Sequence, residues 1–557
     1  MSAEPVDVVV VGSGAGGAPV AHEAAAAGLK VVVLEKGRRY RDDELDHDEI
    51  RMCRRNFFVP FVADEPHTLR QGPEATATRT TEGWVANVVG GGTVHMAGYF
   101  HRLHPVDFHL GKALGRVPGA SLADWPIDYA DLEPFYARAE REVGVSGVWR
   151  AHPFEEPRSA DYPMPPLFEH GFARRIDAAC GPLGYHPFPT PRAITSREYR
   201  GRSACGFCAL CASYGCEMGA KGSTAATLLP AAEATGNCEV RARSMATEIP
   251  VGKDGRVTGV VYRAADGASA FQPARVVVVA ATAIESARLL LLSRSTRFPR
   301  GLGNDSGLVG RNLVFSGQSK GEARFDLGRA ERAGEAWLRD AAPFVQRSMQ
   351  DFYLLDQPVD GVRKAGTILF ALAHPNPIFT AERIAGAAAP ETARFGLRLK
   401  QALREEARGA RTLTFENFAE FLPTPGTYVD LDPEVKDRWG APVARITLGR
   451  HRLDSAANRL LAARAKRVLD ALSPDACRVT DEDGVDTVLQ GGTCRFGRDP
   501  EHSVLDVNCR AHAVPNLYVS DSSFMPTSGG VPPTLTILAN AFRVGASLVA
   551  RFKEGAI

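Results

Sequence analysis

The sequence predicts an α/β protein: a Rossmann-like nucleotide domain with a substrate domain of antiparallel sheet plus helices inserted into it. Three observations lead there. The opening unit, VVVVGSGAGGAPVAHEAAAAGLKVVVLEKG, runs from an apolar β-branched stretch through a glycine turn and a helical segment to a second apolar stretch. The far end returns to that style, with Leu517–Asp521 reading as a strand that ends in an acid, then a Gly/Pro loop and a helix over Leu535–Arg551. In between, over residues 310–480, apolar and polar residues partly alternate, as in antiparallel strands covered on one face.

Each element has its own signal. Val8–Val11 is a continuous apolar run, as in a parallel strand buried on both faces. Gly12, Gly14 and Gly17 follow at G-x-G-x-x-G spacing; Ala18–Ala27 reads as a helix, Leu29–Leu34 as the next strand, and Glu35 ends it. Such glycines let backbone N–H groups and a helix N-terminus approach a pyrophosphate, and the carboxylate can accept hydrogen bonds from ribose hydroxyls. Residues 38–80 are charged and irregular, and Val88–Gly98 is glycine-rich. Trp125–Gly144 has helical periodicity after a Pro/Asp start, and residues 147–200 are proline-rich and read as loops. Thr224–Ala234 reads as a helix, Cys238–Ile249 and Val257–Tyr262 as strands, and Val276–Ala281 as an apolar strand running into a helix over Ile284–Ser293. In the middle third, Thr367–Ala373 and Thr427–Leu431 read as strands, and Glu382–Ala410 and Arg452–Leu472 as long helices. The expected division gives residues 1–45, 75–120, 220–315 and 480–557 to the nucleotide domain, and 46–74, 121–219 and 316–479 to the substrate or cap domain.

Bulk properties narrow the function. A chain of 557 residues with 44% hydrophobic and 24% charged residues is ordinary for a globular protein and long enough for more than one packed unit. A formal net charge of +1 gives no argument for nucleic acid or an anionic membrane. No apolar run is read as membrane-spanning, and the first strand begins almost at the N-terminus, so a cytoplasmic location without a membrane span is the expectation. Four of the ten cysteines crowd into Cys205, Cys208, Cys211 and Cys216. The C-x2-C-x2-C start suits thiolates converging on an iron–sulfur cluster; a four-thiolate zinc site and thiols that simply pack a tight loop are the competing readings.

Several stretches together resemble the glucose–methanol–choline (GMC) oxidoreductases, flavoenzymes that bind FAD, and more narrowly their bacterial branch with a cysteine-rich segment. These are the opening fingerprint, VVGGGTVHMAG at Val88–Gly98, WPIDYADLEPFYARAE, LGNDSGLVGRNL at Leu302–Leu313, and VLDVNCRAHAVPNLYVSDSSFMPTSGGVPPTLTILANAFRVG at Val504–Gly545. The resemblance implies an FAD-binding domain in which Gly90, Gly91, Gly92 and Thr93 lie against the flavin, with Asp521, Pro533 and Thr534 on its other side. It places His95 where some branches carry a histidine bonded covalently to the flavin, leaving a covalent link, a non-covalent neighbour of the ring and a merely buried histidine as alternatives. Some relatives also pass electrons from flavin through an iron–sulfur centre to a cytochrome subunit.

The resemblance breaks at the catalytic pair. The family's H-x-x-G-T pattern reads Leu489-Gln490-Gly491-Gly492-Thr493, and its N-P-T pattern reads Pro532-Pro533-Thr534, so Leu489 and Pro532 stand where the histidine base and its partner are expected. His95 and Gln490 remain as catalytic candidates, although a glutamine is no base at neutral pH, and His451 and His512 are further histidines. The expected function is dehydrogenation of a CH–OH group of a small organic substrate by hydride transfer to flavin N5. The electron acceptor is open between oxygen, a quinone, a cytochrome and another flavoprotein, so that an electron-acceptor protein is one candidate partner. The alternatives are a flavin-dependent C=C reductase or desaturase, and a non-enzymatic electron-transfer flavoprotein.

Overall fold

The computed structural model describes residues 4–54, 58–84, 86–374, 376–387 and 396–557. Its first layer is a parallel sheet with strands in the order Cys238–Arg241, Val31–Leu34, Val6–Val11, Ser269–Val279 and Leu517–Val519. Val8, Val9 and Val10 are wholly buried, as a strand covered on both faces requires. Strand Ser269–Val279 serves two sheets in turn. Its C-terminal half pairs in parallel with Val6–Val11, while its N-terminal half pairs antiparallel with Gly259–Arg263, which pairs in turn with Met245–Glu248.

A five-stranded antiparallel sheet forms the second layer, in the order Val345–Met349, Gly366–Leu372, Ala410–Ala419, Val314–Asp326 and Ala476–Gly491. Helix Arg452–Ala471 covers one face of it through Leu461, Ala465, Val468 and Leu469, all buried in one cluster with Phe325 and Phe415. A third sheet is assembled from distant pieces: Tyr428–Lys436, Pro442–Leu448, His67–Gln71 and Thr78–Thr80. This order of α/β and antiparallel layers is the fold class expected.

Local readings differ in places. Residues 147–200 contain helix Gly171–Cys180, started by His170, whose Nδ1 accepts from the Phe172 amide at 3.3 Å. Phe172, Ile176 and Cys180 recur every four residues and bury one face, a period hidden by the surrounding prolines. Cys238–Ile249 is two strands, broken where Arg243 turns left-handed with φ 54°. Of the long helix expected over Glu382–Ala410, helices Pro377–Ala387 and Gly396–Gly409 are observed, and 388–395 lie outside the described residues. One helix among the described residues, Thr534–Lys553, is long and apolar enough to cross a membrane, contrary to the sequence reading. Its apolar side is buried instead against helices Ala18–Ala26 and Tyr129–Val143.

Candidate active site

A cavity of about 610 Å³ lies at the carboxyl edge of the parallel sheet, walled on its other side by the antiparallel sheet. Strand Val6–Val11 delivers the chain to Gly12, which turns left-handed at φ 100°, and Gly17 then starts helix Ala18–Ala26. A Cβ on Gly17 would fall 1.9 Å from the Gly12 carbonyl oxygen, and one on Gly16 would fall 2.7 Å from Asp521 Cα. Only glycine allows this turn to close under the cavity. Gly16, which the fingerprint spacing did not single out, is held to strand Leu517–Val519 by Ser520, whose hydroxyl donates to the Gly16 carbonyl at 2.8 Å.

The first two glycine motifs are bonded to each other. Ser13 Oγ donates to the Glu35 carboxylate at 2.6 Å and accepts from the Gly90 amide at 2.8 Å. Glu35 also accepts from the amides of Ser13 and Gly37, and its burial raises its carboxyl above the ordinary range. Thr93 Oγ1 donates to the Gly90 carbonyl at 2.6 Å and accepts from the Thr224 amide at 3.0 Å, while Thr224 Oγ1 donates to the Ser13 carbonyl at 2.9 Å. Gly91 and Gly14 meet backbone to backbone, and Gly92 opens toward the cavity. Ser13 and Thr224 were missed in the sequence, because a lone serine and threonine carry no spacing signal.

Asp521 caps the turn after strand Leu517–Val519. Its carboxylate accepts from the Ser523 amide at 2.8 Å and from the hydroxyls of Ser523 and Ser286, and burial raises its pKa. Pro533 and Thr534 open helix Thr534–Lys553 at the cavity wall, so the positive end of that helix is turned toward the space.

The catalytic candidates separate. His95 lines the cavity inside an aromatic stack, with ring centroids 5.3 Å from Phe58 and 5.0 Å from Trp84. Burial, reinforced by the Lys221 ammonium, lowers its imidazole to about 3, so it is neutral at working pH. Gln490 also lines the cavity, but its Oε1 accepts from the Ile284 amide at 2.7 Å and its Nε2 donates to the Gly83 carbonyl at 3.2 Å. Its amide thereby ties two backbone segments together. Leu489 and Pro532 both border the cavity, and Leu489 packs on the apolar cluster of Tyr99, Leu369 and Phe418. His451 caps helix Arg452–Ala471, accepting from the Leu453 amide and donating to the Pro118 carbonyl, and His512 bonds Ser503; neither lines the cavity.

The cysteine segment takes a different form from a cluster-binding loop. Among the described residues no three His, Cys, Asp or Glu side chains are grouped so as to hold a metal, and the four thiols are within that statement. Phe207, Ala209 and Ser213 adopt left-handed backbone between them, leaving Cys208 exposed and Cys205, Cys211 and Cys216 half-buried. The iron–sulfur reading of these four cysteines gains no support from this arrangement. What anchors this segment is Lys221, whose buried ammonium donates to the carbonyls of Val94 at 3.1 Å and of Cys211 and Tyr214 at 2.8 Å each. Burial lowers its pKa to about 8.

These features fit FAD. Glycines crowd the turn where a pyrophosphate is approached, and a helix N-terminus faces the cavity. The buried polar atoms Asn87 Oδ1 and Thr282 Oγ1 belong to residues that border it, and these atoms have no hydrogen-bond partner among the described residues. The fold and site are those of a flavin-dependent oxidoreductase. Comparison with known proteins agrees: the family description "GMC oxidoreductase" matches residues 169–316 and 423–541, and "FAD binding domain" matches residues 7–42. The chain is 32% identical to 2-methyl-1,2-propanediol dehydrogenase of Mycolicibacterium austroafricanum, over 99% of this chain and 97% of that one. It is 30% identical to paromamine 6'-oxidase of Streptomyces fradiae, over 98% and 92%. Formate oxidase of Aspergillus oryzae RIB40 shares the fold, with a TM-score of 0.65 at 14% identity and both chains fully covered. The chain belongs to the GMC oxidoreductase family and is an FAD-dependent oxidoreductase.

Proposed function

We propose that this chain dehydrogenates a CH–OH group of a small, polar organic substrate, and that it does so without the family's histidine base. The observation that carries the reading is the cavity wall beyond the glycine motifs, where Tyr99, Gln318 and Glu416 present hydroxyl, amide and carboxylate next to the apolar faces of Leu489, Phe418 and Pro532. Such a wall can grip a hydroxyl while the flanking apolar surfaces exclude water. Two relatives support the class: one is named for 2-methyl-1,2-propanediol, the other for paromamine.

Gly12, Gly14, Gly16, Gly17 and Glu35 would hold the dinucleotide part of FAD, and Gly90–Gly92, Asp521 and the start of helix Thr534–Lys553 its flavin end. When bound, FAD supplies a two-electron hydride acceptor. The helix N-terminus favours negative charge beside it. Leu489 and Pro532 carry no titratable group, so proton removal falls to another side chain.

The test is anaerobic mixing of the yellow protein with a panel of primary and secondary alcohols, diols and polyols, following the oxidised flavin band. Bleaching by at least one alcohol is expected. If no alcohol bleaches the flavin while conjugated enones reoxidise the chemically reduced protein, the reading gives way to C=C reduction; if neither does, it gives way to electron transfer. Reoxidation of the bleached protein by air or by a soluble quinone then identifies the class of acceptor.

A further inference from the structure

Resting on the alcohol-dehydrogenating reading above, we infer that Glu416 is the catalytic base that takes the substrate's hydroxyl proton. Glu416 sits on Ala410–Ala419, the central strand of the antiparallel sheet, and is half-buried where that strand borders the cavity. Its two carboxylate oxygens are separately fixed: Gln318 Nε2 donates to Oε1 at 3.0 Å and Tyr99 OH donates to Oε2 at 3.2 Å. Those partners come from a neighbouring strand and from the residue that follows the second glycine motif, so the flavin-side segment and the sheet converge on this carboxylate.

The placement relative to the missing base is the main argument. Leu489, which the resemblance places at the family's histidine, packs against the apolar cluster that contains Tyr99 and Phe418; Tyr99 donates to Glu416, and Phe418 lies two residues further along the same face of the strand. Leu489 and Glu416 therefore border one cavity, next to a shared apolar cluster. Lys320 lies directly across the ladder from Glu416, and the two residues share that face.

Other cavity carboxylates are differently engaged. Glu35 and Asp521 bind backbone amides and serine hydroxyls at the glycine turn, and Glu285 and Asp437 pair with Arg288. His95 is held neutral within its aromatic stack, on the side of the Gly90–Gly92 motif.

The step balances without a further reagent. The substrate carbon gives up a hydride, two electrons and one proton, to bound FAD. The hydroxyl O–H bond breaks, its proton goes to a Glu416 oxygen, and its electron pair becomes the second C–O bond of the carbonyl product. Tyr99 and Gln318 orient the carboxylate through both of its oxygens.

The experiment starts with an alcohol that bleaches the wild-type flavin anaerobically; without one, the functional reading fails and this assignment falls with it. With that alcohol, Glu416→Gln is expected to slow flavin reduction about 10²- to 10⁴-fold at unchanged FAD content and melting temperature, with Glu416→Asp recovering a large part of the rate. An independent readout is the infrared difference spectrum of the wild type before and after reduction by substrate. It should show a protonated-carboxyl band that moves in Glu416→Asp and is absent from Glu416→Gln. Wild-type-like reduction in Glu416→Gln overturns the assignment and leaves the functional reading standing. Because the band is read on the wild type, its absence overturns the assignment even if the glutamine variant fails to fold.

Discussion

Lys364 and Glu420 form a buried ion pair at 3.1 Å directly beneath the loop that leads to Pro532 and Pro533. Glu420 Oε1 accepts from the Ser528 amide and hydroxyl and from the Gly529 amide. On the other side of the ammonium, at 3.0 Å, stands Asp107, which also accepts from the Tyr353 hydroxyl; Tyr353 in turn accepts from the Gly530 amide. The loop that forms one wall of the flavin cavity is thus hung from charges in the protein interior.

Removing the cation should therefore be severe. Lys364→Met leaves Asp107 and Glu420 facing each other without water or counter-charge, and a loss of about 3–5 kcal/mol in unfolding free energy is expected. Urea unfolding followed by far-ultraviolet dichroism measures it, and FAD content should fall in parallel because the cavity wall loosens. A loss below about 1 kcal/mol would show that the three side chains do not carry the loop.

Gly17→Ala should yield colourless protein. Its Cβ would lie 1.9 Å from the Gly12 carbonyl oxygen, a backbone clash that no rotamer relieves. Gly181→Ala is the control, since a Cβ there meets nothing within 4 Å. Absorbance of FAD released on denaturation, per mole of chain, compares the two. Equal flavin content in both would refute the close-approach argument.

Gln490→Leu separates support from chemistry. It strands the buried Ile284 amide and the Gly83 carbonyl, which should cost about 1–3 kcal/mol. Flavin reduction by substrate, normalised to bound FAD, should stay within about tenfold of wild type, because a neutral amide neither takes up nor releases a net proton at working pH. A thousandfold loss of rate at normal stability would return Gln490 to the catalytic group.

Asp454 predicts a pH dependence of stability. Its ordinary value is 3.8, and burial at the start of helix Arg452–Ala471 raises it to about 7, against the lowering effect of the Leu422 and His451 amides. Between those values the folded chain keeps a proton that the unfolded chain has lost, so this group's contribution to stability falls as pH rises from about 4 to about 7. Asp454→Asn stays uncharged. The stability of the wild type relative to that variant should decline across this window and level off above it, as read from urea midpoints at several pH values. A constant difference would contradict the shift.

The nucleotide half of the site was legible because its determinants are local. Gly12, Gly14, Gly17 and Glu35 stand within 24 residues of one another, and their roles follow from the hand of a βαβ turn and the space a Cβ needs. Gly90–Gly92, Asp521 and Pro533-Thr534 were named through family likeness; all but Gly90, whose amide bonds Ser13, line the same cavity. Where single positions were chosen on residue chemistry alone, geometry adds what spacing does not show: the Gln490 amide is a backbone tie, and the closely spaced cysteines form no metal-holding group among the described residues.

The sequence by itself determined the α/β class and the flavin family, since these depend on residue identity at short spacing. Tertiary structure alone decided which groups share the cavity. Tyr99, Gln318 and Glu416 are separated by up to 317 residues; Gln318 and Glu416 meet on neighbouring antiparallel strands, and Tyr99 reaches Glu416 from the segment after the second glycine motif. His67–Gln71, in a segment read as irregular, is a strand held between Thr78–Thr80 and the distant Pro442–Leu448. Pairing between distant strands leaves no periodic trace in either segment, because the hydrogen bonds that hold it are made by backbone groups every residue possesses.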